Sequence, residues 1–142
     1  MADRVLAPVD GSEQSDRACE LVFEEFPDAT LVLLHVINPV EAGYSGRVSL
    51  PSASEEWYEQ QRERADEHFD DIESKAAEHG IETERAIEVG EPTRTIVEFA
   101  EDNDVDHIVM GSHGREGVSR VLLGSVAETI VRRSPVPVTV VR

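Results

Sequence analysis

The sequence predicts a doubly wound α/β fold, one parallel sheet of five strands with helices on both faces. Three observations carry this. Short apolar runs alternate with segments of helical periodicity along the chain. The second run, Thr30-Leu31-Val32-Leu33-Leu34-His35-Val36-Ile37, is almost unbroken in its apolar character and suits a central strand covered on both faces. Five runs alternate with four helical segments, and right-handed crossovers between parallel strands place such helices on the two sides of a sheet.

The first strand is Arg4-Val5-Leu6-Ala7-Pro8-Val9, ended by the turn signal Asp10-Gly11. Ser12 or Ser15 caps a helix with the apolar stripe Ala18, Leu21, Val22 and Phe26, which Pro27-Asp28 stops. After the second strand, positions 38–54 turn to proline, glycine and serine and read as a mobile loop. A second helix is expected from near Ser54, with Glu55 and Glu56 in its first turn. It sets Trp57, Gln61, Ala65, Phe69, Ile72 and Ala76 at helical spacing, and Gly80 closes it. Residues 82–89 make the third strand, 92–103 the third helix and 105–110 the fourth strand. Residues 125–133 make the last helix, and Val136-Pro137-Val138-Thr139-Val140-Val141 the last strand.

A length of 142 residues predicts a single domain, 1–142, able to bury a core without disulfides or metal staples. The lone cysteine, Cys19, excludes an internal disulfide and reads as a small buried residue. The opening residues lack the continuous apolar run of a signal peptide, and no stretch reaches membrane-spanning length, so a soluble, cytoplasmic protein is expected. Thirty acidic against thirteen basic residues give a formal charge of −17, with Lys75 the one lysine. Nucleic-acid binding is thereby disfavoured, because it draws affinity from basic side chains that neutralise phosphates. The acidity is spread along the chain and fits either an ordinary acidic surface or a cytoplasm salty enough to screen it; the near absence of lysine favours the second.

In a doubly wound sheet, ligands sit beyond the carboxyl ends of the strands, where strand order reverses. Those ends carry Pro8-Val9-Asp10-Gly11-Ser12, Val36 and Met110-Gly111. After the fourth strand, glycines fall at 111, 114, 117 and 124. Glycine lets backbone N–H groups approach a phosphate, and Gly124-Ser125 stands where a helix begins, with free donors and a positive dipole end. On the residues alone, the segment fits a phosphate cradle or a structural strand-to-helix turn. The dinucleotide fingerprint G-x-G-x-x-G is missing, and the one lysine lies in the second helix, which excludes a Walker loop. Ser112, His113 and Asp10 do not make a nucleophile elbow, and the five histidines lack metal-site spacing; His35 reads as structural.

The spacing Gly111-x2-Gly114-x9-Gly124-Ser125 resembles the ATP-binding signature of the universal stress protein family. The opening Val5-Leu6-Ala7-Pro8-Val9-Asp10-Gly11-Ser12, the strand ending in His35-Val36, the Gly-Glu-Pro before the third helix and the closing Pro135-Val136-Pro137-Val138 are similar to that family too, so the likeness covers the whole chain.

The resemblance implies a Rossmann-like fold of the adenine nucleotide alpha hydrolase-like kind, an ATP cofactor with magnesium or manganese, and a role as sensor or regulator in stress response. The alternative is a slow metal-dependent ATPase or phosphotransferase on the same fold. It implies that Asp10 meets ribose and helps hold the metal ion, although the residue alone fits a turn or helix cap as well. Pro8 and Val9 would flank the base, Val36 would offer its backbone to the adenine edge, and Met110 and Gly111 would lie beside the ribose. Gly114, Gly124, Ser125 and Val126 would donate to the phosphates. Arg115 either pairs with a phosphate or is a solvated surface residue, and Glu116 departs from the small residue expected there. The resemblance also implies a homodimer through the last strand lying at the sheet's edge, where Pro137 is tolerated.

Overall fold

The computed structural model describes residues 3–40, 51–112 and 123–142. Its elements run β1 (Arg4–Pro8), α1 (Glu13–Glu25), β2 (Thr30–Ile37), α2 (Pro51–Glu78), β3 (Thr83–Val89), α3 (Pro92–Asp102), β4 (His107–Gly111), α4 (Ser125–Arg133) and β5 (Val138–Val141). The strands form one sheet in the order β3-β2-β1-β4-β5, every neighbouring pair parallel. The predicted doubly wound α/β fold is the observed one.

Strand alternation divides the buried side chains into two cores. Val5 and Ala7 of β1 with Val9 just beyond it, Leu31 and Leu33 of β2, and Val109 of β4 pack under α1 and α2, which contribute Ala18, Val22, Phe23, Phe69 and Ile72. Leu6, Val32, Leu34, Ile108 and Met110 point the other way and meet Ile96 and Ala100 of α3 with Ala127 and Ile130 of α4. Cys19 lies in the first core, where burial, reinforced by the negative charges of Asp16 and Glu20, pushes its thiol up to about 12.

The helix ends follow local chemistry. Of the two serines that could cap α1, Ser12 does so, its Oγ accepting from the Ser15 N–H at 3.1 Å, while Ser15 turns inward and donates to the Ser12 carbonyl. Pro92 occupies the first turn of α3, and the Glu91 carboxylate accepts from the N–H groups of Thr93 and Arg94 at 3.1 and 2.8 Å. Burial alone would raise the pKa of Glu91, but these two bonds, the Thr93 hydroxyl and the charge of Arg133 together outweigh it and hold the carboxyl below its ordinary value. At the end of α2, Gly80 adopts φ +71°, its N–H donates to the Ala77 carbonyl and the Ile81 N–H reaches back to Ala76, a Schellman closure with Ile81 and Ala76 both buried.

Several boundaries shift by a residue or two, β4 running from His107 to Gly111 where 105–110 was expected, and two of the shifts have a visible cause. α2 already begins at Pro51, so the end of the expected 38–54 loop is helical, with proline at a helix start where its missing N–H costs nothing; positions 41–50 lie outside the described residues. β5 begins at Val138 rather than Val136, because Ser134 Oγ accepts the Val136 N–H at 3.1 Å and donates to its carbonyl at 2.6 Å, folding that residue into a turn. β3 and β5 are the edges. On β3, Arg85 reaches back to Asp66, Asp70 and Glu73 of α2 and lies 5.3 Å over the Phe69 ring, tying the long acidic helix to the sheet.

Candidate functional site

The strand order reverses between β1 and β4, because β1 leads through α1 to β2 on one side while β4 and β5 extend the sheet on the other. The crevice at their carboxyl ends is built from three short segments. The first is the turn after β1. Val9 makes one further ladder bond, N–H to the Leu34 carbonyl at 2.8 Å, and Gly11 then takes φ +85°, which turns the chain into α1. Asp10 accepts the Ser12 N–H through Oδ1 at 2.9 Å. It therefore caps the turn, and its second carboxylate oxygen remains as an acceptor.

The second segment is the end of β2. The Thr30 N–H bonds to Asp3 and the Leu34 carbonyl accepts from Val9, both on the β1 side, whereas the Leu31 N–H and the Ile37 carbonyl bond on the β3 side. By this alternation the N–H and C=O of Val36 point toward β1, one step past the Val9–Leu34 bond, where β1 has already turned away. The Val36 side chain packs on the α3–α4 core, as does Met110. Pro8, half-buried, shares the Leu6 face of β1 by alternation.

The third segment joins β4 to α4. The buried Ser112 donates its N–H to the Val141 carbonyl at 2.7 Å, and its own carbonyl accepts the Gly124 N–H at 2.7 Å, so the start of α4 is fixed to the end of β4. Gly124 is the N-cap in extended conformation and brings no side-chain oxygen, so among the described residues α4 has no side-chain cap, unlike α1 and α3. Its first-turn donors, those of Ser125 and Val126 among them, stand at the switch point with the positive end of the helix dipole. Gly111 is needed for another reason: a Cβ there would stand 2.6 Å from Gln14 Cβ and 2.9 Å from the Gln14 backbone carbon, so α1 packs directly on this glycine. Gly114, Arg115, Glu116 and His113 lie outside the described residues.

Sequence reasoning missed a wall of this region. A cleft of about 150 Å³ opens on the α1–α2 side of the β1 end, where Asp10 and His35 face Gln61, Arg64 and His68 of α2 above Phe69. His35 Nδ1 is 2.9 Å from the Val9 carbonyl, which can only accept, so Nδ1 carries the proton and, in the neutral ring, Nε2 is an acceptor. The structural part expected of His35 is present, and the same ring lines the cleft. Among the described residues, no cluster of three or more His, Cys, Asp or Glu side chains could hold a metal ion. The single carboxylate of Asp10 fits only an ion that brings most of its oxygen ligands with it, as magnesium does with phosphates. Among the described residues no helix is long and apolar enough to cross a membrane.

The profile of the universal stress protein family matches residues 1–142. Universal stress protein MJ0577 of Methanocaldococcus jannaschii is 33% identical, the alignment covering 100% of this chain and 96% of the relative. The solved structure of MJ0577 superposes with a TM-score of 0.85 over 98% of this chain and 94% of that one. Two more distant structures share the fold. A universal stress protein family protein from Arabidopsis thaliana with AMP bound has a TM-score of 0.70 at 20% identity, covering 97% of this chain and 90% of its own. A universal stress protein in complex with cAMP has a TM-score of 0.67 at 23% identity, covering 99% and 97%. Matched from its first residue to its last by the profile, and along its whole length by a relative at one-third identity, the chain belongs to the universal stress protein family.

Proposed function

We propose that the protein is a cytoplasmic, single-domain sensor or regulator of stress response that binds ATP with magnesium or manganese at the β1–β4 switch point. The observation that carries this reading is the bare start of α4. Ser12 accepts one first-turn N–H of α1 and the Glu91 carboxylate two of α3, whereas among the described residues no side chain caps α4, beside the end of β4. Backbone donors at a helix N-terminus are a natural partner for phosphate oxygens. In this reading Gly124, Ser125 and Val126, with Gly114 and Arg115, receive the phosphates. Met110 and Gly111 lie beside the ribose, Pro8 and Val9 flank the base, and Val36 offers its outward N–H and C=O to the adenine edge. The second oxygen of Asp10 meets the ribose or the divalent ion. When bound, that ion would neutralise phosphate charge, which a chain of net charge −17 otherwise repels. Proteins of the same fold that hold AMP and cAMP support an adenine nucleotide as the class of ligand.

We read the site as one for holding the nucleotide rather than for turning it over, since phosphoryl transfer needs an oriented nucleophile, and none of the described residues assigned to the phosphates supplies one. The second element of the proposal is a homodimer through β5, which among the described residues pairs with β4 alone and leaves its outer edge for a second copy. The test of the ligand is direct. The protein, purified without added nucleotide and then denatured, is expected to release an adenine nucleotide identifiable by mass spectrometry, and stripped protein should bind ATP with magnesium in a calorimetric titration. Absence of both would end the proposal.

A further inference from the structure

The backbone of Val36 escapes the β1–β2 ladder for two separate reasons. In a parallel ladder a residue gives its N–H to one residue of the neighbouring strand and takes an N–H from the residue two further on. Val9 begins such an exchange by donating its N–H to the Leu34 carbonyl at 2.8 Å. The bond that completes it would run from the Val36 N–H to the Val9 carbonyl, and the next from the Gly11 N–H to the Val36 carbonyl. Among the described residues neither is made. Gly11 accounts for the second, since its φ of +85° has already turned the chain toward α1. The first is missing although the Val9 N–H is still in register. A side chain has taken its place: the Val9 carbonyl accepts from Nδ1 of His35, 2.9 Å away. The half-buried His35 ring stands one residue before Val36 and, lying on the opposite face of β2 from the Val36 side chain, reaches over to β1 from the α1–α2 side.

We propose that His35 is a positioning residue of the nucleotide site, one that keeps the Val36 N–H open for the base by occupying the Val9 carbonyl in its place. This rests on the ATP reading above. An unpaired carbonyl at a strand end takes the nearest donor, because leaving it unbonded costs free energy. Without the imidazole that donor is the Val36 N–H, and the ladder would close by one more bond across the edge the base needs. With the imidazole in place, Val36 presents an N–H and a C=O side by side, both directed past the β1 turn. The pair complements a bare ring nitrogen beside an exocyclic amino group, which is what adenine carries. Hypoxanthine offers a ring N–H beside a carbonyl, so in the same pose donor would meet donor and acceptor would meet acceptor. His35 touches neither base nor phosphate in this scheme, and it sets the selectivity of the site through the backbone of its neighbour.

The experiment follows hydrogen exchange of the Val36 amide by NMR in nucleotide-stripped parent, His35→Phe, His35→Gln and His35→Asn. Each protein is also titrated with ATP and with inosine triphosphate, both with magnesium, and given an unfolding midpoint. In the parent the unbonded Val36 amide should exchange about tenfold or more faster than the bonded amide of Val9. ATP should bind about tenfold more tightly than inosine triphosphate, the size expected when a donor or acceptor loses its partner. His35→Phe keeps a ring without the donor, and His35→Gln places its amide near the Nε2 position; both should slow Val36 exchange about tenfold and bring the nucleotide ratio near one. His35→Asn, whose amide overlies Nδ1, should stay near the parent in both. If neither the Phe nor the Gln variant folds, the parent's exchange rates and the Asn variant decide. A Val36 amide as slow as that of Val9 in the stripped parent, or folded Phe and Gln variants that keep the parent's rate and ratio, would overturn this inference while leaving ATP binding intact. A parent that binds neither nucleotide would remove the nucleotide reading and this inference with it.

Discussion

Replacing Gly111 with alanine places a methyl group where α1 already stands. The added Cβ would lie 2.6 Å from Gln14 Cβ, 2.9 Å from the Gln14 backbone carbon and 3.2 Å from its carbonyl oxygen, against an ordinary contact of 3.4 Å or more. A side-chain tip could swing away, but a helix backbone cannot, so α1 and β4 must separate by several tenths of an ångström. Forcing an extra methyl into a packed interface costs about 1–3 kcal/mol. At about 2–4 °C per kcal/mol for a chain of this size, the unfolding midpoint should fall by roughly 2–12 °C. Gly80→Ala is the control for backbone strain alone: its Cβ meets nothing within 4 Å, and only the left-handed φ of +71° is penalised, at about 1–2 kcal/mol. Thermal unfolding followed by circular dichroism, with ATP titrated separately into each variant, checks the argument. A Gly111→Ala protein with an unchanged midpoint would refute it, and one that also lost ATP affinity would show that this glycine serves the ligand instead of the packing.

Other consequences can be measured on the same material. His107 lies half-buried between Phe26, at a ring distance of 5.0 Å, and Thr139, at 2.7 Å from Nε2, and burial lowers its pKa below 6.5. Below pH 6.5 the unfolded chain therefore binds a proton that the folded one resists, so stability should fall as pH drops from 7.5 toward 5.5, and His107→Gln should flatten that slope; identical slopes would remove the assignment. With a net charge of −17, the midpoint should rise as potassium chloride approaches molar concentration. Arg85→Met, which leaves Asp66, Asp70 and Glu73 facing one another, should lose most stability in dilute buffer and recover it in salt; a constant gap would mean that the clamp acts through packing on Phe69. For the β5 dimer, Val140→Asp is a cleaner test than Val138, whose side chain packs on the α3–α4 core. Light scattering should give a dimer for the parent and a monomer for the variant, and a monomeric parent at micromolar concentration would end the dimer proposal.

The sheet was legible in the sequence because its signals are local. The run from residue 30 to 37 reads as a buried strand by itself, and β2 occupies those residues, while Gly80 marks a helix end that the Schellman closure explains. Where the reading slipped, a side chain had intervened: Ser134 takes the backbone of Val136 out of the ladder, and nothing in an apolar run announces that. The ends of β1, β2 and β4 could be placed because strand order in a doubly wound sheet fixes where they meet. The α2 wall of the cleft could not. Gln61, Ala65 and Phe69 read as a helical apolar stripe, but Arg64 and His68 sit beside it at a spacing of four, and only the tertiary fold brings that face over Gly11. The role of Gly111 was likewise hidden, because one sequence pattern serves close approach to a ligand and close approach to a helix.

The central claim, that the bare start of α4 holds phosphate, is tested most directly by Gly124→Asp. Gly124 has φ −69° and ψ 165°, a conformation open to any residue, and aspartate is a better N-cap than glycine by a few tenths of a kcal/mol. The new carboxylate would bond the first-turn donors that the phosphates need and would repel the nucleotide as well. Calorimetric titration at matched salt should show ATP affinity falling about a hundredfold or more, equivalent to about 2.8 kcal/mol, while the unfolding midpoint stays level or rises. An affinity equal to the parent's in a folded Gly124→Asp protein would contradict the account.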